Sequence, residues 1–158
     1  MCGMDQTLMG EAVRAAAEGV RRREGGPFGA VIAREGRVLA RAWNRVVHDR
    51  DPTAHAEVNA IREACRLLGR FHLEDCELYT SCEPCPMCLG AIYWARLRTV
   101  YYAATRQHAA EIGFDDALIY GELGREPDAR AVRFVKLADS EALAVMRAWQ
   151  ADAQKRPY

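Results

Sequence analysis

The 158-residue sequence has no run approaching the ~20 apolar residues that a membrane-spanning helix needs, and no excess of charge of either sign, with 22 Lys and Arg against 22 Asp and Glu. The first absence excludes a helical membrane protein. The second argues against a chain that holds bulk nucleic acid or an acidic membrane surface through a general basic field. Near the N-terminus no basic region precedes an apolar stretch, and the chain has no internal repeat, low-complexity tract or linker-like segment. A single cytoplasmic domain spanning residues 1–158 is therefore expected. What is present is a globular composition, 50% hydrophobic and 28% charged, on a chain long enough to bury one core. Six cysteines occur, and Cys82, Cys85 and Cys88 fall within seven residues. Without a secretory signal, this crowding points to metal or redox chemistry on reduced thiols rather than to disulfides.

Residues 5–24 carry Met9, Val13, Ala16, Ala17 and Val20 at helical spacing, and "GGP" at 25–27 stops the pattern. "FGAVIAREGRVLARAWN" then holds two β-rich runs around Glu35-Gly36, a hairpin signal. "DPT" at 51–53 supplies a cap and a proline ahead of Val58, Ile61, Cys65 and Leu68, which predict a second helix to about Gly69. "CELYTS", "PCPMCLGAIYWAR" and "RTVYYAA" form a strand–helix–strand unit, a crossover that implies parallel pairing. "VRFVKL" at 132–137 predicts a last strand, and Ala142, Val145, Met146 and Trp149 mark a last helix from Ser140 to about Asp152. Residues 104–130 show no clear pattern. The expected architecture is α/β: a three-layer α-β-α domain with a mixed sheet of about five strands covered by helices.

The stretch "TAHAEVNAI" sets His55 and Glu57 two positions apart at the start of the second helix. Thirty residues on, Cys85 and Cys88 stand at i and i+3 at the start of the third. Both cysteines then share one face of a helix N-terminus, where exposed N–H groups and the helix dipole favour thiolates. A soft dication is the natural partner, and catalytic zinc takes three Cys or His ligands while leaving one position for water. His55, Cys85 and Cys88 supply those three. Cys-x-x-Cys after a strand also describes a thioredoxin-like redox pair, but that leaves His55 and Glu57 without a role. A structural zinc site would want a fourth ligand; Cys82 could serve, yet its place at a strand end suits a small apolar core residue. Cys2, Cys65 and Cys76 read as structural or incidental. His-x-Glu followed about 27 residues later by Pro-Cys-x-x-Cys is the signature of zinc-dependent nucleobase deaminases. In that pattern Glu57 is no ligand but a general base, made necessary because two thiolates weaken the metal's acidifying effect.

"GGPFGAVI", "DPTAHAEV", "LYTSCEPCPMCLGAIYWAR" and "GFDDALIY" resemble, in order and spacing, the blocks of the cytidine deaminase superfamily, and more closely its bacterial guanine deaminases. "CLGAIYWAR" and "GFDD" are the more specific blocks. The resemblance implies a five-stranded mixed sheet, a Zn2+ cofactor, conversion of guanine to xanthine and ammonia in purine catabolism or salvage, and a homodimer that exchanges C-terminal segments. It also implies that Asn44, Phe28, Ala56, Asp116 and Tyr158 contact the base or close over it. Read without the resemblance, each of the four side chains has a plainer explanation: Asn44 as a turn residue, Phe28 as core, Asp116 as a loop or cap carboxylate, Tyr158 as a frayed terminus. An ionised Asp116 would accept from guanine's N1–H and exocyclic amine, two donors that adenine does not match. Pro157, where the family more often has a charged residue, is a departure in the tail. The nearest rival is tRNA adenosine deamination, whose polyanionic substrate calls for clustered Lys and Arg rather than a neutral chain with Asp115-Asp116 near the expected mouth. No membrane partner is expected, and nucleic acid is not favoured.

Overall fold

Gly29 to Ala33 is an unbroken apolar run, which suits a strand covered on both faces. The computed structural model describes residues 2–137 and 139–158, with side chains from residue 6 onward, so Cys2 lies outside the described side chains. In it this run is strand β1 (Gly29–Arg34), buried along all but its last residue. The chain turns at Glu35 and Gly36, both left-handed with φ of 52° and 73°, as a tight primed hairpin turn requires. It returns antiparallel as β2 (Arg37–Trp43) with a register shift between Ile32 and Ala33. On the other side of β1 lies β3 (Glu77–Cys82), antiparallel, and beyond it β4 (Thr99–Ala104), parallel to β3. The sheet order is β2-β1-β3-β4. The parallel step needs a crossover, and helix α4 (Pro86–Trp94) supplies it.

Alternation along the strands sorts the core into two layers. Ala30, Ile32 and Leu78 pack with Ala60, Ile61 and Ala64 of helix α3 (Ala56–Leu68), joined by Ile92 of α4. Val31, Ala33 and Tyr79 pack with Leu8 and Ala12 of helix α1 (Cys2–Arg21) on the opposite face. Helix α1 lies so close over the sheet that a Cβ on Gly29 would overlap the Ala12 backbone.

Several expectations change. The described residues form a mixed sheet of four strands rather than five, because residues 132–137 are irregular. A β-rich composition makes a strand only when the backbone is actually paired with a neighbour. The "DPT" segment does not cap α3: His55 is its N-cap residue, and Asp51 instead accepts from Thr53 N–H (2.8 Å) and Oγ–H (2.7 Å) in a local turn. The unpatterned stretch holds the short helices α5 (Arg106–Glu111) and α6 (Ala117–Leu123) and a 3-10 turn at Pro127–Ala129, none with a buried residue. A helix without a buried face leaves no periodic signal to read. The remaining helices are α2 (Val46–Asp49) and α7 (Ser140–Ala151). Among the described residues no helix is long and apolar enough to cross a membrane. The chain divides into a larger compact unit ending at Asp116, which contains the sheet, and a smaller one, Ala117–Tyr158.

Candidate active site

Two helix N-termini define the site. His55 is the N-cap residue of α3, in extended backbone and with no side-chain capping bond, so its ring is not spent on the helix end. Cys85 is the N-cap of α4, also extended, and Pro86 fixes the first helical position. One turn in, Cys88 is fully buried. His55 Nδ1 lies 3.5 Å from Cys85 Sγ and 3.5 Å from Cys88 Sγ, and the three ligand atoms all lie within 4.8 Å of one another. Tetrahedral zinc with ordinary Zn–N and Zn–S bonds would set nitrogen and sulfur about 3.6 Å apart. The donor set of one imidazole and two sulfurs is also the chemistry zinc prefers, so the residues present fit the ion.

Electrostatics around this triad favour one thiolate. The neighbouring Cys88 thiol, then His55 and the Cys88 backbone N–H, hold Cys85 down to about 4 against the opposing effect of burial. Cys88 is pushed up in turn, by Cys85 beside it and by burial. His55 is raised by its contact with Cys85, with burial opposing. Glu57, only 6% exposed, is pushed up mainly by burial, with the Cys85 charge adding to it. A carboxyl that binds a proton more firmly than usual, beside a metal-ligand cluster, can both take and return one.

Of the residues implied for the base, Asn44 is 4% exposed and follows directly on β2. Its side-chain Oδ1 accepts from Gly26 N–H and Val46 N–H, each at 3.2 Å, and its backbone N–H donates to Phe28 O at 2.9 Å. Both bonds to the side-chain oxygen come from backbone donors, which leaves the side-chain NH2 as the group not engaged by them. Phe28 meets Phe114 edge to face, centroids 4.9 Å apart. Ala56 is fully buried as the first residue of α3. Asp116 is raised by burial and, to a lesser degree, by the Cys85 charge, while Arg106 lowers it, so it lies within electrostatic reach of the cysteine cluster. Tyr158, 73% exposed, ends the smaller unit. Cys82 stays outside the cluster: it is buried and its Sγ donates to Thr105 O at 3.5 Å. Cys76 is buried in the α3-side core with Cys65 packed against it.

Three structural residues carried no local signal. Glu24 follows three arginines, which reads as a solvated run, yet it is buried and accepts from Trp43 Nε1 and Arg45 Nη1. Asn59 looks like an ordinary polar helix position, but its Nδ2 donates to Trp43 O (3.1 Å) and Ala54 O (3.2 Å). Phe114 lies inside "GFDD" beside two aspartates, and nothing local marks it as the edge-to-face partner of Phe28.

Comparison with known proteins places this geometry. Residues 3–104 match the cytidine and deoxycytidylate deaminase zinc-binding region. The guanine deaminase of Bacillus subtilis is 52% identical over 153 residues, covering 97% of this chain and 98% of its own. The crystal structure of guanine deaminase from that organism superposes with a TM-score of 0.94 over 97% of this chain and 98% of its own, at 52% identity. A tRNA-specific adenosine deaminase of Agrobacterium fabrum is 43% identical over 100 residues, 63% of this chain and 66% of its own. With its histidine and two cysteines gathered at paired helix N-termini and a buried glutamate beside them, the chain belongs to the zinc-binding cytidine and deoxycytidylate deaminase family.

Proposed function

We propose that this protein hydrolyses guanine to xanthine and ammonia. The observation that carries the reading is that the likeness to the Bacillus subtilis guanine deaminase runs through nearly the whole of both chains, well beyond residue 104 where the shared deaminase region ends. The tRNA-type relative matches only 63% of the chain.

In this reading His55, Cys85 and Cys88 hold zinc, which supplies the Lewis acidity that makes water a usable nucleophile near neutral pH. Glu57 takes one proton from the water as its oxygen bonds to C2 of the ring, and delivers that proton to ring N3. It then carries the second proton to the exocyclic amine; the C2–N bond breaks, ammonia leaves, and C2 becomes the xanthine carbonyl. Burial of Glu57 supports this shuttle because it brings the carboxyl's proton affinity closer to that of its exchange partners. Backbone N–H groups at the start of α4 orient the attacking oxygen. Asp116 accepts from guanine's N1–H and amine, and Asn44, Ala56, Phe28 and Tyr158 complete the base pocket.

The protein works as a cytoplasmic homodimer with its C-terminal segment exchanged between subunits, one domain per chain, and residues 132–137 add a fifth strand on exchange. Exposed apolar side chains on α7, among them Val145, Met146 and Trp149, support an associating surface. The deciding experiment is steady-state ammonia release from guanine, adenine, cytidine and a tRNA anticodon stem-loop, with zinc measured on the same preparation. Guanine is expected to be turned over far faster than the others, with about one zinc per chain. Preferential turnover of the stem-loop would overturn the assignment.

A further inference from the structure

Glu24 stands where α1 ends. Arg23 N–H bonds to Val20 O (2.9 Å) and Glu24 N–H to Gly19 O (3.1 Å), with Arg23 left-handed at φ 59°. This two-bond helix stop turns the chain sharply and leaves Glu24 8% exposed. A buried carboxylate is tolerated only when hydrogen-bonded. Here a single oxygen, Oε2, accepts from both Trp43 Nε1 (2.7 Å) and Arg45 Nη1 (2.8 Å). The Glu24 carbonyl accepts from Val47 N–H (3.1 Å) and His48 N–H (3.0 Å).

Trp43 and Arg45 are the two neighbours of Asn44. The residues that follow Glu24 hold the Asn44 side chain itself: Gly26 N–H donates to its Oδ1, and any side chain on Gly25 would overlap that oxygen. With Val46 N–H as the second donor, both lone pairs of the amide oxygen are engaged. Only the NH2 group of Asn44 is left to meet a ligand. The same segment is tied to the metal-site helix, because Arg45 N–H donates to Ala54 O (2.9 Å) and Asn59 joins Trp43 O to Ala54 O, next to His55.

We propose that Glu24 is a positioning residue for base recognition: by holding Trp43 and Arg45 it fixes the Asn44 amide as a pure donor, so that the site selects a ring acceptor atom, not an N–H, at that position. The proposal rests on the reading of Asn44 as a base contact. No other residue of the cluster has to touch substrate.

A double-mutant cycle on the full-length zinc enzyme, with kcat and KM for guanine read separately, tests it. Glu24→Ala should raise KM about tenfold while kcat moves less than about threefold, and zinc content should not change. Glu24→Gln, whose amide oxygen can take the place of Oε2 toward both donors, should restore most of the KM. In an Asn44→Ala background, Glu24→Ala should add less than about twofold. A costly Asn44→Ala with a harmless Glu24→Ala, or full additivity of the two, overturns the role of Glu24 alone. An unchanged KM in Asn44→Ala overturns the base-contact reading and this proposal with it. If Glu24→Ala does not fold, Arg45→Met enters the same cycle with the same expected coupling and the same overturning results.

Discussion

The residues around His55 and the residues from Ala117 onward are built on opposite terms. Near His55, polar side chains are buried and bonded: Asn44 to two backbone N–H groups, Glu24 to Trp43 and Arg45, Glu57 beside the sulfurs. From Ala117 onward none of the described residues is buried, and large apolar side chains such as Leu118, Phe134, Val145 and Trp149 are exposed. In the first region these buried groups find their partners within the larger unit, so the metal-ligand cluster and the bonds that hold Asn44 are set there. The second keeps apolar surface of the kind that marks association sites. Buried polar networks and exposed apolar surface are thus carried by different parts of the sequence.

The sharpest way to break that division is to remove the metal. Chelation under reducing conditions should abolish ammonia release, and added zinc should restore it; activity that persists at zinc contents near zero would mean the sulfur–imidazole cluster is not the reactive centre. Next in size, Glu57→Gln should lower turnover by about a thousandfold while zinc stays bound, because the shuttle is lost and the three ligands are not. Metal analysis beside the ammonia assay checks both halves. Asp116→Asn should reduce kcat/KM for guanine by about a hundredfold, since an amide places a donor where the base also donates, with thermal stability nearly unchanged. Equal kcat/KM in that variant would leave the carboxylate without a part in recognition.

Trp149→Glu on α7 should shift mass measured by light scattering from dimer toward monomer while leaving the zinc content untouched. Unchanged mass would place the subunit contact elsewhere. Smallest of all, Arg23→Gly relieves a left-handed residue at the end of α1 and should stabilise the chain by up to about 1 kcal/mol in denaturant titration. A loss of stability would show that the Arg23 side chain contributes more than its backbone strain costs.

Local periodicity made much of the larger unit legible. Gly36 marks the hairpin because glycine takes left-handed φ at little cost, and the tight turn draws Glu35 into the same region. Val58 and Ile61 predict the buried face of α3, and both are in the core. The strand–helix–strand run predicts the parallel step from β3 to β4. The polar lattice behind Asn44 was not legible, since nothing in "RRREGG" distinguishes a buried glutamate from a solvated one. Nor were α5 and α6, which bury no residue that could impose a period. Residues 132–137 show the converse failure: they are rich in β-forming side chains, but composition does not make a strand unless the backbone is paired, and here it is irregular.

By itself the sequence determined which residue types could serve and their order along the chain: one histidine and a glutamate opening one helix, a Cys-x-x-Cys pair opening another. Spacing within a turn is a local property, so it survives without knowledge of the fold. Only the tertiary structure decided that these two helix ends, thirty residues apart, lie on the same side of the sheet with their ligand atoms 3.5 Å from one another. It also decided that a glutamate from the end of α1 is buried beneath the neighbours of Asn44. Those placements depend on sheet order, crossover and packing between layers, which arise from contacts distant in sequence and leave no periodic trace in it.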